Sequence, residues 1–213
     1  MIELKKKCKL LKQKINKNKK DTPHDILISV INDQKQKELE RDIWSQSDFR
    51  DINELQSNNV GNVGENFINE ICRSNEISAN INGSTTKIKG GGNGDGKIKG
   101  ENVEIKTAHQ GTSGTFQHEL GEHPWRPEYL VFLDVAPNSF FLTIIENFTE
   151  IHYKCGNKCD PYFPTKSITQ RKKTGNFKFD TSINLNRKSK ATLEITKETT
   201  IKQIGDFINL MIV

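Results

Sequence analysis

The sequence predicts a mixed α/β fold, a central β-sheet flanked by helices, on three observations. Lys97-Ile98-Lys99 and Val103-Glu104-Ile105-Lys106-Thr107 are short alternating runs joined by Gly100-Glu101-Asn102, the pattern of a β-hairpin. Residues 129–135 and 140–145 are nearly unbroken apolar runs of strand length, separated by Pro137-Asn138-Ser139, as expected of central strands covered on both faces. Residues 62–74 and 200–211 carry apolar side chains at helical spacing and supply the flanking layer.

Taken in order, the chain opens with Leu4, Cys8, Leu11 and Ile15 at spacings of four, three and four, an amphipathic helix with a basic outer face. Such a helix suits either a phosphate backbone or plain solvent. Asp21-Thr22-Pro23 then punctuates the chain. Leu39, Ile43, Trp44, Ile52 and Leu55 suggest one or two further helices, with a break at residues 45–47. Asn58 to Gly61 reads as a linker, and Asn62 as the N-cap of a new helix. On that helix Val63, Phe67, Ile68, Ile71 and Cys72 fill one half; Glu65 and Glu70 mark its two margins. A β-branched segment, residues 77–89, ends in the glycine-rich run 90–96. The final helix, within residues 201–213, turns Ile204, Phe207, Ile208 and Met211 to one face. The expected organisation is a basic helical region at 1–57, packed on or flanking a catalytic core at 58–213 that carries a basic segment near 154–190.

Apolar residues make up 33% of the 213 and charged residues 28%, a polar composition that still supports a core. Lys and Arg outnumber Asp and Glu by 32 to 27, for a formal charge of +5 and a pI near 8.9. The cations crowd both ends and leave the carboxylates concentrated in the middle, a distribution that attracts a polyanion. No stretch approaches the roughly 20 apolar residues of a membrane span, and the N-terminus lacks the apolar segment of a secretory signal. A soluble, cytoplasmic protein is expected, with Cys8, Cys72, Cys155 and Cys159 as reduced thiols.

Residues two apart on a strand share a face, so Glu104 and Lys106 project together while Val103 and Ile105 anchor them to the core. Asp95 stands at the mouth of the same hairpin between Gly94 and Gly96, where a tight connection returns its carboxylate to Glu104. Two carboxylates and an ammonium at one point suit phosphodiester hydrolysis. Carboxylates are hard oxygen ligands for Mg²⁺, the metal acidifies a bound water, and the lysine orients that water or helps deprotonate it.

Gly94-Asp95, eight intervening residues, then Glu104-Ile105-Lys106 resembles the signature of the PD-(D/E)XK nuclease superfamily, to which most type II restriction endonucleases belong. The resemblance covers roughly residues 60–145: a helix with Glu65, a glycine-bracketed aspartate, the alternating strand and a following apolar strand. It implies a restriction-endonuclease-like core in which Asp95, Glu104 and the carbonyl of Ile105 hold Mg²⁺ and Lys106 is the catalytic lysine. Glu65 matches a helix glutamate that assists a second metal or orients the first. Gly94 stands where the signature has proline. The implied activity is cleavage of double-stranded DNA to 5′-phosphate and 3′-hydroxyl ends, by a homodimer where the target is palindromic.

Gln170, Arg171, Lys172, Lys173 and Asn176 combine phosphate-seeking cations with side chains that read adenine edges, and suit a recognition loop or a solvated one. His109 and Gln110, just past the catalytic strand, are further candidate DNA contacts. His152, Cys155 and Cys159 could ligate zinc but lack an obvious fourth ligand, and free thiols are the simpler reading. A nucleotide cofactor is not expected: Gly91-x-x-x-x-Gly96-Lys97 is followed by Ile98 where a P-loop needs Ser or Thr. Asp134, inside an apolar strand, needs a partner, expected in the turn before Pro137. The rival functions are a structure-specific nuclease, such as a junction resolvase, and a non-catalytic nucleic-acid-binding protein.

Overall fold

The structure, a computed structural model, describes residues 22–83, 93–121, 126–148, 168–170 and 177–213. The chain divides into two compact units, Met1–Asp42 and Ile43–Val213. In the first, helix α1 (Pro23–Glu40) starts at a capping box: Thr22 Oγ1 accepts from the Asp25 N–H, and the Asp25 carboxylate accepts from the Thr22 N–H. Pro23 occupies the first helical position, where its missing N–H costs nothing. None of its residues is buried. The amphipathic helix expected over residues 4–15 lies outside the described residues.

The second unit is built on a six-stranded sheet in the order β1-β2-β3-β5-β6-β9: β1 (Ala79–Ile81), β2 (Gly96–Ile98), β3 (Glu101–His109), β5 (Tyr129–Val135), β6 (Phe140–Glu146) and β9 (Thr192–Ile195). Only β3 and β5 pair in parallel; every other neighbour is antiparallel. The expected mixed sheet with flanking helices is therefore present. All seven residues of β5 are buried, as its unbroken apolar run requires of a strand with neighbours on both edges and layers on both faces.

Helix α2 (Ser57–Ser74) and helix α4 (Ile201–Met211) cover one face, where Ile68, Ile71, Cys72, Ile204 and Ile208 pack on Val103, Ile105, Val131, Leu142 and Ile144. Each such side chain stabilises the unit by roughly 1.5–3 kcal/mol. Gly205 lets α4 meet the end of α2, since a Cβ there would stand 2.2 Å from the Asn75 amide carbon. Asn75 joins the two helices by donating to the carbonyls of Ile71 and Ile201. A second sheet, β4 (Thr115–Leu120), β8 (Phe177–Ser182) and β7 (Ile168–Gln170) in the order β4-β8-β7, leads through β8 into the short helix α3 (Ile183–Lys188). Phe116 of β4 packs with Ala108, Ala136 and Phe141, and Leu120 with Leu130 and Phe132, on the opposite face of the central sheet.

Three local expectations are corrected. Asn58–Gly61 is not a linker and Asn62 is not an N-cap: α2 begins at Ser57 and runs through Gly61 and Gly64. Gly64 is inside the helix because the helix lies against β3; a Cβ there would be 1.9 Å from Thr107 Oγ1. The hairpin turn is Lys99-Gly100, since Ile98 pairs with Glu101 and both turn residues have positive φ, 54° and 94°. Asp134 does not bond a turn. It is fully buried and accepts from Thr181 Oγ1 at 2.6 Å and Asn186 Nδ2 at 2.7 Å, and it pairs with His118 Nε2 at 2.6 Å. That network ties β4, β8 and α3 to β5. Among the described residues, no helix is long and apolar enough to cross a membrane.

Candidate active site

Strand β3 carries the site because its two faces and one of its edges differ. Val103 and Ile105 are buried under α2, whereas Glu104 and Lys106 point to the other face with side chains 12% and 27% exposed. Their carboxylate and ammonium form an ion pair. Along the edge, β2 ends at Gly96, opposite Val103, and among the described residues no strand continues the pairing past that point.

Asp95 fills the first gap in that edge. Its N–H donates to the Val103 carbonyl at 2.7 Å, and its Oδ2 accepts from the Ile105 N–H at 2.7 Å. The carboxylate is thus fixed beside Glu104 by backbone alone, as the glycine turn predicts. Gly94 makes the approach possible: its φ is +86°, and a Cβ would sit 2.2 Å from the Val103 oxygen. Gly96 is equally confined, with a Cβ position 2.3 Å from the Asn80 carbonyl oxygen. The two glycines flanking Asp95 are therefore demanded by packing as well as by the turn.

Glu65, on the half-buried margin of α2, joins the same electrostatic field. Burial raises its pKa above the ordinary carboxylate range, Asp95 and Glu104 raise it further, and Lys106 opposes them. Glu104 is likewise raised, by burial first; Lys106 lowers it and Asp95 adds to the rise. For Lys106 burial works against the charge, but Glu104, Asp95 and Glu65 together override it and hold the ammonium above its usual value. Lys106 is thus protonated at neutral pH and acts as a donor and a positive charge.

Three carboxylates face a single ammonium: Asp95 raises the proton affinity of both Glu65 and Glu104, and Glu104 adds to that of Glu65. A divalent cation relieves that excess, and the donor set is oxygen only, which suits Mg²⁺. Among the described residues, no three His, Cys, Asp or Glu side chains stand close enough to enclose an ion. Mg²⁺ does not require such a cage, since it binds through one or two carboxylates and keeps its waters. Asp95, Glu104 and the carbonyl of Ile105 fit that pattern.

The other candidates are divided. His109 ends β3, edge-on to Trp44 with ring centroids 6.0 Å apart, and burial lowers its pKa against a backbone hydrogen bond at Gln110. Gln110 follows it; its carbonyl accepts from Trp44 Nε1 at 3.2 Å and its N–H donates to Val135. Both lie on the continuation of the strand that carries Lys106. Gln170 falls in β7, while Arg171, Lys172, Lys173 and Asn176, together with His152, Cys155 and Cys159, lie outside the described residues. Cys72 is a buried free thiol, its pKa pushed up to about 11 by burial. Sequence reasoning missed the hydroxyl-bearing residues beside His109, namely Ser57, Thr107, Thr112, Ser113 and Thr115. The run Gly111-Thr-Ser-Gly-Thr115 was the available signal. No family model, curated protein or solved structure matches this chain.

Proposed function

We propose that this protein is a Mg²⁺-dependent endonuclease that hydrolyses double-stranded DNA in the manner of a type II restriction enzyme, as a homodimer on a palindromic site. The observation that carries the reading is the convergence of Asp95, Glu104 and Lys106 at one point on β3, with Asp95 locked to the strand edge by two backbone hydrogen bonds. A fixed carboxylate needs no reorganisation as charge develops. The half-buried ion pair keeps Lys106 charged and aimed at the same point.

Asp95, Glu104 and the Ile105 carbonyl would hold Mg²⁺, which when bound would supply positive charge for the phosphate oxygens and acidify a water. Lys106 donates to that water or to a non-bridging phosphate oxygen, countering the extra negative charge of the pentavalent state. Glu65, with its raised proton affinity, takes up or holds a proton at the margin of the site. The water oxygen bonds to phosphorus as the bond from phosphorus to the 3′-oxygen breaks; the water gives its proton to Glu65, and the leaving 3′-oxygen takes one from bulk water. The products are a 5′-phosphate and a 3′-hydroxyl.

The test is incubation of the full chain with long duplex DNA and with a four-way junction, in Mg²⁺ or chelator, beside Asp95→Ala and Lys106→Ala. Discrete duplex fragments that need Mg²⁺ and vanish in both variants are expected, with losses of at least about 10²–10³ in rate. Cutting confined to the junction transfers the site to a structure-specific nuclease. Salt-sensitive binding without turnover in any arm leaves only a DNA-binding protein.

A further inference from the structure

Helix α1 holds aliphatic side chains in water that its own chain does not cover. Five of the six residues 26–31 are large aliphatics, and Ile26, Leu27, Val30 and Ile31 are each more than half exposed. At about 100° per residue these four span a continuous arc of roughly 140°, with Ile28 at its margin. Single exposed apolar residues are ordinary, but a contiguous group is not. The helix is also poorly suited to stand alone. Four of the five aliphatics are β-branched, which lowers helix propensity, and an 18-residue helix that buries nothing is marginal in water.

The extent of the arc indicates what covers it. Half-exposed side chains of this size leave roughly 100 Å² of apolar surface each, about 400–500 Å² for the group. A second copy presenting the same arc brings the buried total to about 1,000 Å², the area a specific interface needs. Such a two-fold contact is self-complementary, apolar against apolar.

The polar half of the helix sets the direction of pairing. The stripe through Leu27 and Ile31 continues, at helical spacing, to Gln34 and Glu38, which are hydrogen-bonded to each other, with Lys37 beside them. Parallel copies would set Glu38 against Glu38 and Lys37 against Lys37. Antiparallel copies centred between Ile28 and Ser29 instead bring Ile26 opposite Ile31 and Leu27 opposite Val30, and carry the charged ends apart.

We propose that α1 is a homodimerisation element in which the 26–31 arcs of two copies pack antiparallel about a two-fold axis. The nuclease reading calls for a homodimer but names no surface for it; the α1 surface holds whether or not the chain cuts DNA.

The experiment is sedimentation equilibrium of the full chain, comparing wild type with Leu27→Lys, Ser29→Lys and Glu38→Gln. Ser29 lies outside the arc, so the two lysine variants add the same charge to the same exposed helix and differ in the face that carries it. Wild type is expected to dimerise with a dissociation constant on the order of micromolar, given an interface at the small end of the range. Leu27→Lys brings a charge into the contact from both copies and is expected to raise that constant by at least about 10²-fold, whereas Ser29→Lys stays within about threefold. Glu38→Gln is expected to stay within about twofold; clear tightening, the sign of a relieved Glu38–Glu38 repulsion, would overturn the antiparallel arrangement. Wild type that remains monomeric at about 100 μM, or lysine variants that dissociate alike, would overturn the α1 interface. In the monomeric case, binding to anionic lipid vesicles that Leu27→Lys abolishes would assign the arc to a membrane surface instead.

Discussion

Replacing Gly94 by proline introduces the residue that the PD-(D/E)XK signature, which this segment resembles, carries before its aspartate, yet here it is expected to destroy the site. Proline fixes φ near −65°, whereas Gly94 has φ +86°, a difference of roughly 150°. The milder Gly94→Ala isolates the costs. A left-handed conformation costs a non-glycine residue about 1–2 kcal/mol. Its Cβ, 2.2 Å from the Val103 oxygen, also forces that contact open by roughly 1 Å. The same oxygen accepts the Asp95 N–H, so opening it weakens a hydrogen bond worth about 1 kcal/mol. The sum, about 2–3 kcal/mol, lowers the melting temperature of a unit this size by roughly 4–12 °C. At 25 °C the variant stays folded, so lost activity reports geometry. A 1 Å displacement of Asp95 corresponds to a rate loss near 10²-fold. Single-turnover DNA cleavage and circular-dichroism melting measure both, and Gly94→Pro is expected to exceed Gly94→Ala in each. Full cleavage by Gly94→Pro would refute the placement of Asp95.

Three further outcomes follow from the packing and the charges. Gly64→Ala improves helix propensity by about 1 kcal/mol but drives a methyl group to 1.9 Å from Thr107 Oγ1. Net destabilisation of about 1–3 kcal/mol in urea denaturation is expected, with partial rescue by Thr107→Ala. Asp134→Ala strands donors on His118, Thr181 and Asn186, and is expected to cost about 3–5 kcal/mol, read as a fall in melting temperature. In chelator, Glu65 has a folded pKa above its unfolded one. It therefore favours folding fully below the ordinary carboxylate pKa, and that contribution is lost as pH rises through the raised value. The stability of wild type relative to Glu65→Gln should accordingly decline from about pH 4 upward, and denaturant titrations of both proteins across that range show it. A difference that grows with pH would contradict the sign.

Much of the site was legible in the sequence because its signals are local. Alternation alone put Glu104 and Lys106 on one face of a strand, and glycines on both sides of Asp95 signalled a turn able to return it to the strand edge. The unbroken apolar runs identified β5 and β6 for the same reason: a strand covered on both faces has no position left for solvent. What the sequence could not supply were contacts between distant segments. Gly64 looks like a breaker until β3 is seen pressing Thr107 against the helix, and only then does a glycine at this position of α2 make sense. Asp134 looks like the neighbour of a turn, but its partners come from β4, β8 and α3, as many as 52 residues away in sequence. The unpaired edge of β3 depends on where β2 stops, a fact of register written in neither strand. Local chemistry therefore determined which residues can act, and tertiary structure decided where the edge lies open for them, because pairing and burial are settled between segments rather than within them.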